Sequence, residues 1–291
     1  MKKPKRIFGM FSNPCRHSLI IIINISLLFF IFSCGLFEEP SKPPTDNPYD
    51  PDNPDYVPPT TEIYSGPGDG DTVKVDAVTF KWRGNQPECT FSISIDDETW
   101  SDWIQDTIKT MTYLDEDQHS FSIIAKYPTD ETEESPTTIS FCVDAVKGPA
   151  LRFYKKRVET TAGNSFELEI WAEEVTDLAM ASLIVSFDPV YVQIQNFSIY
   201  KDASAFLCKN GGNVIDASSY SNTEGKVTAY IARTTTNNSG VTGSGALLKL
   251  RFNAIKKGST TIQFDPNCAF RKADNSPIGI MQKVLSLIVI K

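Results

Sequence analysis

Phe166-Glu167-Leu168-Glu169-Ile170-Trp171-Ala172-Glu173 decides the fold. Phe166, Leu168, Ile170 and Ala172 fall on one side; Glu167, Glu169 and Glu173 fall on the other. A period of two is the pattern of a strand with one buried face. The same logic runs outward in both directions. Ala181, Leu183, Val185 and Phe187 form the next inward set. Leu248, Leu250, Phe252 and Ala254 form another, with Lys249, Arg251 and Asn253 outside. Leu285 to Ile290 is a continuous apolar run, expected for a strand buried on both sides or closing a sandwich. About nine strands can be placed over residues 149–291, which predicts a jelly-roll-like sandwich.

Upstream, shorter alternations recur. Val78, Phe80 and Trp82 alternate, as do Phe91, Ile93 and Ile95, then Phe121, Ile123 and Ala125, then Ile139, Phe141 and Val143. Gly66-Pro67-Gly68-Asp69-Gly70, Asp115-Glu116-Asp117 and Pro128-Thr129-Asp130 punctuate them as turns. No helical stripe interrupts them. Residues 60–146 therefore read as a small β-sandwich of their own. The fold class is all-β, two sandwich modules in series.

The front of the chain is different. The 291 residues carry a formal net charge of −8, but the first 33 hold five bases (Lys2, Lys3, Lys5, Arg6 and Arg16) and no acid. The remaining 23 bases face 36 acids, a net of −13. That charge excludes a nucleic-acid binder, which needs a basic face against phosphate. The apolar run Leu19–Phe32 is shorter than the ~20 residues of a spanning helix. With its basic lead and small Ser33 it reads as a secretory signal over residues 1–33. Cys34 follows directly, which resembles the lipobox of bacterial lipoproteins. The resemblance implies that Cys34 is lipidated and tethers the body to the cell envelope, in the outer membrane or on the cell surface. Residues 34–59 are a spacer: eight of the 22 residues from 38 to 59 are proline, between acids. Proline-rich segments tend to extend, at ~3.1 Å per residue in polyproline II, so this spacer is expected to hold the body off the membrane.

The first sandwich resembles bacterial immunoglobulin-like or fibronectin type III-like modules. The residues that carry this are Val78-Thr79-Phe80-Lys81-Trp82, Trp100-Ser101-Asp102-Trp103 and His119-Ser120-Phe121-Ser122-Ile123. The second resembles the cohesin family. Its markers are Ala150-Leu151-Arg152-Phe153, Gly163-Asn164-Ser165-Phe166, Val175-Thr176-Asp177-Leu178, Phe187-Asp188-Pro189, Gly243-Ser244-Gly245-Ala246-Leu247 and Lys257-Gly258-Ser259-Thr260-Thr261-Ile262, in family order. Met180 departs from the glycine or polar residue that many cohesins place there.

The cohesin resemblance implies a binding protein without catalysis. Its partner is a dockerin-bearing secreted protein, with calcium carried by the dockerin, in a setting of polysaccharide breakdown. The family builds its docking face from its strands 8, 3, 6 and 5. Matched onto this chain, that face is expected to include Met180, Ser182 and Ile184 on one strand. Asp216, Ser218 and Tyr220 are expected on a second, and Ile231, Arg233 and Thr234 on a third. Two rivals stand beside this reading. One is a carbohydrate-binding module stacking polysaccharide on Trp171 or Tyr220; the other is an adhesin or assembly subunit.

Two further residue types bear on chemistry. His119 is the one histidine outside the signal and has no Cys or His cluster around it, so it suggests neither a metal site nor a catalytic triad. No cofactor or metal is expected. Cys89, Cys142, Cys208 and Cys268 are an even set in an oxidising compartment, compatible with one bridge per module or with four buried thiols.

Overall fold

The computed structural model describes residues 45–291. The signal, Cys34 and the front of the spacer lie outside the described residues. Alternation places the strands, and what the strands bury decides how they pair.

In the first sandwich, β1 (Thr61–Ser65), β3 (Ala77–Gly84) and β5 (Ile108–Thr112) form one sheet in the order β1-β3-β5. β2 (Thr72–Val73), β7 (Thr137–Val143), β6 (Gln118–Lys126) and β4 (Thr90–Ile95) form the other. Phe80 and Trp82 of β3 are fully buried and meet the second sheet. The Phe80 ring stacks on Phe121 at 4.3 Å between centroids, and Trp82 meets Phe91 edge-on at 6.1 Å. Such aromatic pairs add ~0.5–1.5 kcal/mol beyond area burial.

The second sandwich is organised by a single strand. Its elements are β8 (Ala150–Tyr154), β9 (Arg157–Thr160), β10 (Ser165–Ser186), β11 (Val192–Ile199), β12 (Asn213–Ser221), β13 (Lys226–Thr234), β14 (Val241–Ala254), β15 (Gly258–Phe264), β16 (Ala269–Lys272), β17 (Pro277–Ile278), β18 (Gln282–Val284) and β19 (Ser286–Ile290). The short pieces β9, β17 and β18 are extra to nine principal strands. β10 is 22 residues long and serves two layers. Its first half pairs with β14 and β8, and β14 pairs in turn with β11. Its second half pairs with β13 on one side and β16 on the other. The change of layer falls at Glu174 and Asp177, whose φ angles are +48° and +59°. Left-handed backbone costs a non-glycine residue ~1–2 kcal/mol. Local bonds offset that cost. Glu174 N–H donates to Ser244 Oγ at 3.0 Å, Asp177 N–H to Thr242 Oγ1 at 3.1 Å, and Gly240 N–H to Asp177 Oδ1 at 2.8 Å. The core gathers Leu168, Ile170, Leu183, Leu250, Phe252 and Ile288, all 1% exposed or less.

Three expectations change. Residues 45–56 do not extend; they form successive turns with a repeat of three. Asp50, Asn53 and Tyr56 N–H groups donate to the carbonyls of Asn47, Asp50 and Asn53. The side chains of Asn47, Asp50 and Asn53 accept from the N–H two residues on, at 3.0, 3.0 and 2.8 Å. Proline after each Asx supplies the φ that such a turn needs, so the Asx–Pro repeat bends the chain. Second, the Leu285–Ile290 run is buried on one side only: Ser286, Ile288 and Ile290 are buried while Leu285 is exposed. Third, all four cysteines are free. Cys89, Cys208 and Cys268 are buried and Cys142 faces out from β7. Their thiols sit on separate elements, and Cys268 Sγ instead bonds the Ile184 backbone.

Within residues Val57–Lys291, which form one compact unit, the Asp115–Asp117 turn joins the two sandwiches. Asp115 Oδ1 accepts the Lys156 backbone N–H at 2.7 Å, and Glu116 Oε1 accepts Lys156 Nζ at 2.9 Å. Glu116 Oε2 accepts the N–H groups of Ala145 and Val146 at 2.8 and 3.1 Å. Lys156 is 2% exposed. A buried lysine with its carboxylate removed loses ~3–5 kcal/mol. Glu116→Ala is therefore expected to lower the unfolding free energy read from a denaturant titration by several kcal/mol. A change under ~0.5 kcal/mol, the range of an ordinary surface substitution, would show that the joint contributes no stability.

Candidate partner-binding face

The outer side of the layer β12-β13-β10-β16 is set by register. Across β10 and β13, Met180 pairs with Ala232, Ser182 with Tyr230 and Ile184 with Thr228. Across β12 and β13, Ile215 pairs with Ala232 and Ala217 with Tyr230. Across β10 and β16, Met180 pairs with Arg271 and Ser182 with Ala269. Directly paired residues point to the same side of a sheet. Met180, Ser182, Ala217, Ile215, Tyr230, Ala232, Ala269 and Arg271 therefore share one face. They line a shallow depression of about 630 Å³ with an apolar floor. Ile215 and Tyr230 are 59% and 53% exposed, unusual for large apolar side chains on a sheet. Small Ala217, Ala232 and Ala269 leave the floor low between them. Arg271, which donates to the Asn275 carbonyl at 2.9 Å, marks one rim.

Met180, Ser182, Ile184 and Thr234 lie on this side as the sequence implies. The other expected residues do not. Val227, Ala229, Ile231 and Arg233 are the inward set of β13, all 7% exposed or less. Ile231 belongs to the core. Arg233 turns its guanidinium to the backbone: Nη1 donates to the carbonyls of Leu207 and Lys209, at 2.5 and 2.7 Å, and Nε to Ser239 at 3.0 Å. It ties down the short helical turn Phe206–Gly211 rather than facing a partner. On β12, Asp216, Ser218 and Tyr220 do share a side, but it is the side of Ile231 and Ala229. Tyr220 leaves the layer altogether: its ring meets Phe197 of β11 edge-on at 6.1 Å and its hydroxyl donates to the Gln195 carbonyl at 3.1 Å. Asp216 pairs with Lys201. Slight burial works against ionisation there, but the bond from Lys201 outweighs it and holds the carboxyl below the usual range. Ile215, Ala217, Tyr230 and Ala232 were reachable from sequence. Val227, Ala229 and Ile231 alternate as plainly as the β10 set, and that alternation puts Tyr230 outside.

The ring named for sugar stacking is already engaged. Trp171 Nε1 donates to Glu169 Oε2 at 2.9 Å, and the Arg152 guanidinium lies 4.7 Å over its ring.

Geometry thus defines a β-sandwich with an apolar, partly hollowed sheet face of the kind that docks protein. Residues 155–281, within the second sandwich, match the model of the cohesin domain. Solved structures resemble part of the chain. A non-cellulosomal cohesin from Archaeoglobus fulgidus is 14% identical, covering 49% of this chain and 90% of its own, at a TM-score of 0.39. A type II cohesin domain from the cellulosome of Acetivibrio cellulolyticus is 14% identical over 47% of this chain and 94% of its own, also at 0.39. A type I cohesin–dockerin complex from Clostridium thermocellum is 12% identical over 49% and 99%, at 0.38. No curated protein matches the chain.

The placement of Arg233 makes a prediction. Arg233→Met removes three bonds to backbone carbonyls, the Leu207 one buried, each charge-assisted bond contributing ~1.5–3 kcal/mol. Amide exchange is expected to rise at least tenfold around residues 206–212 and 234–240, while amides of β14 stay protected. Equal exchange in both forms would overturn the assignment of Arg233 to loop positioning.

Proposed function

We propose that the protein is a non-catalytic binding protein whose cohesin domain captures dockerin-bearing secreted proteins on the outer side of β12, β13, β10 and β16. The observation that carries this is the pair Ile215 and Tyr230, held more than half exposed over an alanine-floored depression in a domain that matches the cohesin model. Large aromatic and aliphatic anchors at the centre of such a patch carry most of the energy of a protein interface. Calcium enters through the dockerin. Cys34 as a lipidated residue would place the capture domain at the cell envelope, on the outer membrane or cell surface. Partners acting on polysaccharide follow from the family setting. The acidic body, −13 once the signal is set aside, opposes adsorption to anionic lipid.

The test is capture by the full chain of a protein carrying a duplicated calcium-loop dockerin, with and without chelator. Capture is expected with calcium and lost without it. Ile215→Asp with Tyr230→Ala is expected to weaken capture at least 30-fold, since two hot-spot side chains contribute ~2 kcal/mol or more. Thermal unfolding should shift little, because both side chains are exposed. Undiminished capture by the double variant would refute the face. Chelator-resistant capture, or retention on insoluble glucan with no protein captured, would refute the dockerin partner.

A further inference from the structure

His119 lies on β6 beneath the Asp115–Asp117 turn and is 7% exposed. Its Nδ1 is 2.8 Å from Asp96 Oδ2, and its Nε2 is 3.0 Å from the Asp115 carbonyl oxygen. A carboxylate and a carbonyl both accept. Neutral imidazole offers one N–H and one lone pair, so it satisfies only one of these neighbours; the imidazolium offers two N–H groups and satisfies both. Asp96 is fixed in its role by a second bond, accepting the Ser120 N–H at 2.9 Å through Oδ1.

The residue that His119 holds is the one that joins the sandwiches. The Asp115 side chain takes the Lys156 N–H of the second sandwich, and neighbouring Glu116 takes Lys156 Nζ and the connecting backbone. We propose that His119 is a doubly protonated pin beneath this joint, and that losing its second proton loosens the grip of the first sandwich on the second. On deprotonation the remaining N–H stays with the Asp96 carboxylate, the stronger acceptor. Nε2 then turns a lone pair toward the Asp115 carbonyl, and the turn loses its support from below.

The charged surroundings agree. Asp96 and Asp97 approach from the end of β4, Asp115, Glu116 and Asp117 from the turn, and Lys155 from the second sandwich; β7 contributes the Phe141 ring, 5.8 Å away. Burial presses the His119 pKa down, but the bonds to Asp96 and Asp115 outweigh it and leave the value raised. For Asp96, burial presses up, and the bonds from His119 and Ser120 together with the nearby positive charge outweigh it and leave the value lowered. A histidine whose folded pKa is raised stabilises fully below its unfolded value of ~6.5 and loses that contribution as pH rises to the folded value. The joint is therefore tightest below pH ~6.5 and slackens as pH rises to the folded value of His119.

Hydrogen exchange of the full chain, read by mass spectrometry on peptides spanning 143–157 and corrected for the intrinsic pH dependence of exchange, tests this. Protection there is expected to fall about tenfold per pH unit between ~6.5 and the folded pKa, then level off, as one linked proton requires. Peptides of β14 should keep constant protection. His119→Gln, which cannot become a double donor, is expected to show low protection with no such slope. Asp96→Asn keeps the ring but removes the anion, and should move the fall to lower pH. Should the glutamine variant not fold, this second variant decides alone. Flat protection in the unaltered chain, the same slope in His119→Gln, or no movement in Asp96→Asn would each overturn the pin.

Discussion

The second sandwich depends on β10 belonging to both of its layers. Twenty-two residues run through a bend at Glu174 and Asp177, and the two halves take different partners. The first half lays Phe166, Leu168, Ile170 and Ala172 against the core; the second does the same with Ala181, Leu183 and Val185. One strand thus sets the register of both layers at once. A slip of one residue would expose both apolar sets together. That register also fixes what remains outside. Because Ala181 and Leu183 are in the core, Met180 and Ser182 are on the face, and pairing through β13 brings Tyr230 and Ile215 beside them.

The fold was legible because alternation is strong wherever one side of a strand is dry. Phe166 to Ala172, Leu248 to Ala254 and Val78 to Trp82 all point where the pattern said. Legibility failed where local chemistry competes with composition. Eight prolines suggested extension, yet Asx before proline makes turns in residues 45–56. An even set of cysteines left bridges and buried thiols both open; the thiols are free and placed by packing, one of them against the Ile184 backbone.

The face was half legible. β10 carries its own parity, and Met180, Ser182 and Ile184 share the outer side that its alternation predicts. β12 mixes polar and apolar residues on both sides, and Asp216, Ser218 and Tyr220 alternate as well as Ile215 and Ala217 do; only pairing to β13 decides between them. On β13 the charge of Arg233 suggested solvent, whereas its guanidinium is used up on the backbone carbonyls of the turn it ties down. Sheet geometry carries no reading of partner or anchoring; those proposals rest on the cohesin match and on the sequence around Cys34.

In the proposed function, the outer side of β12-β13-β10-β16 contacts the partner. Amide exchange of the full chain with a calcium-loaded dockerin protein bound reads it directly. Slowed exchange is expected in peptides holding Met180–Ser182, Ile215–Ala217 and Tyr230–Ala232, and none at Gln195–Phe197 of β11, where Tyr220 rests. Protection centred on β11, with the first three segments unchanged, would contradict it.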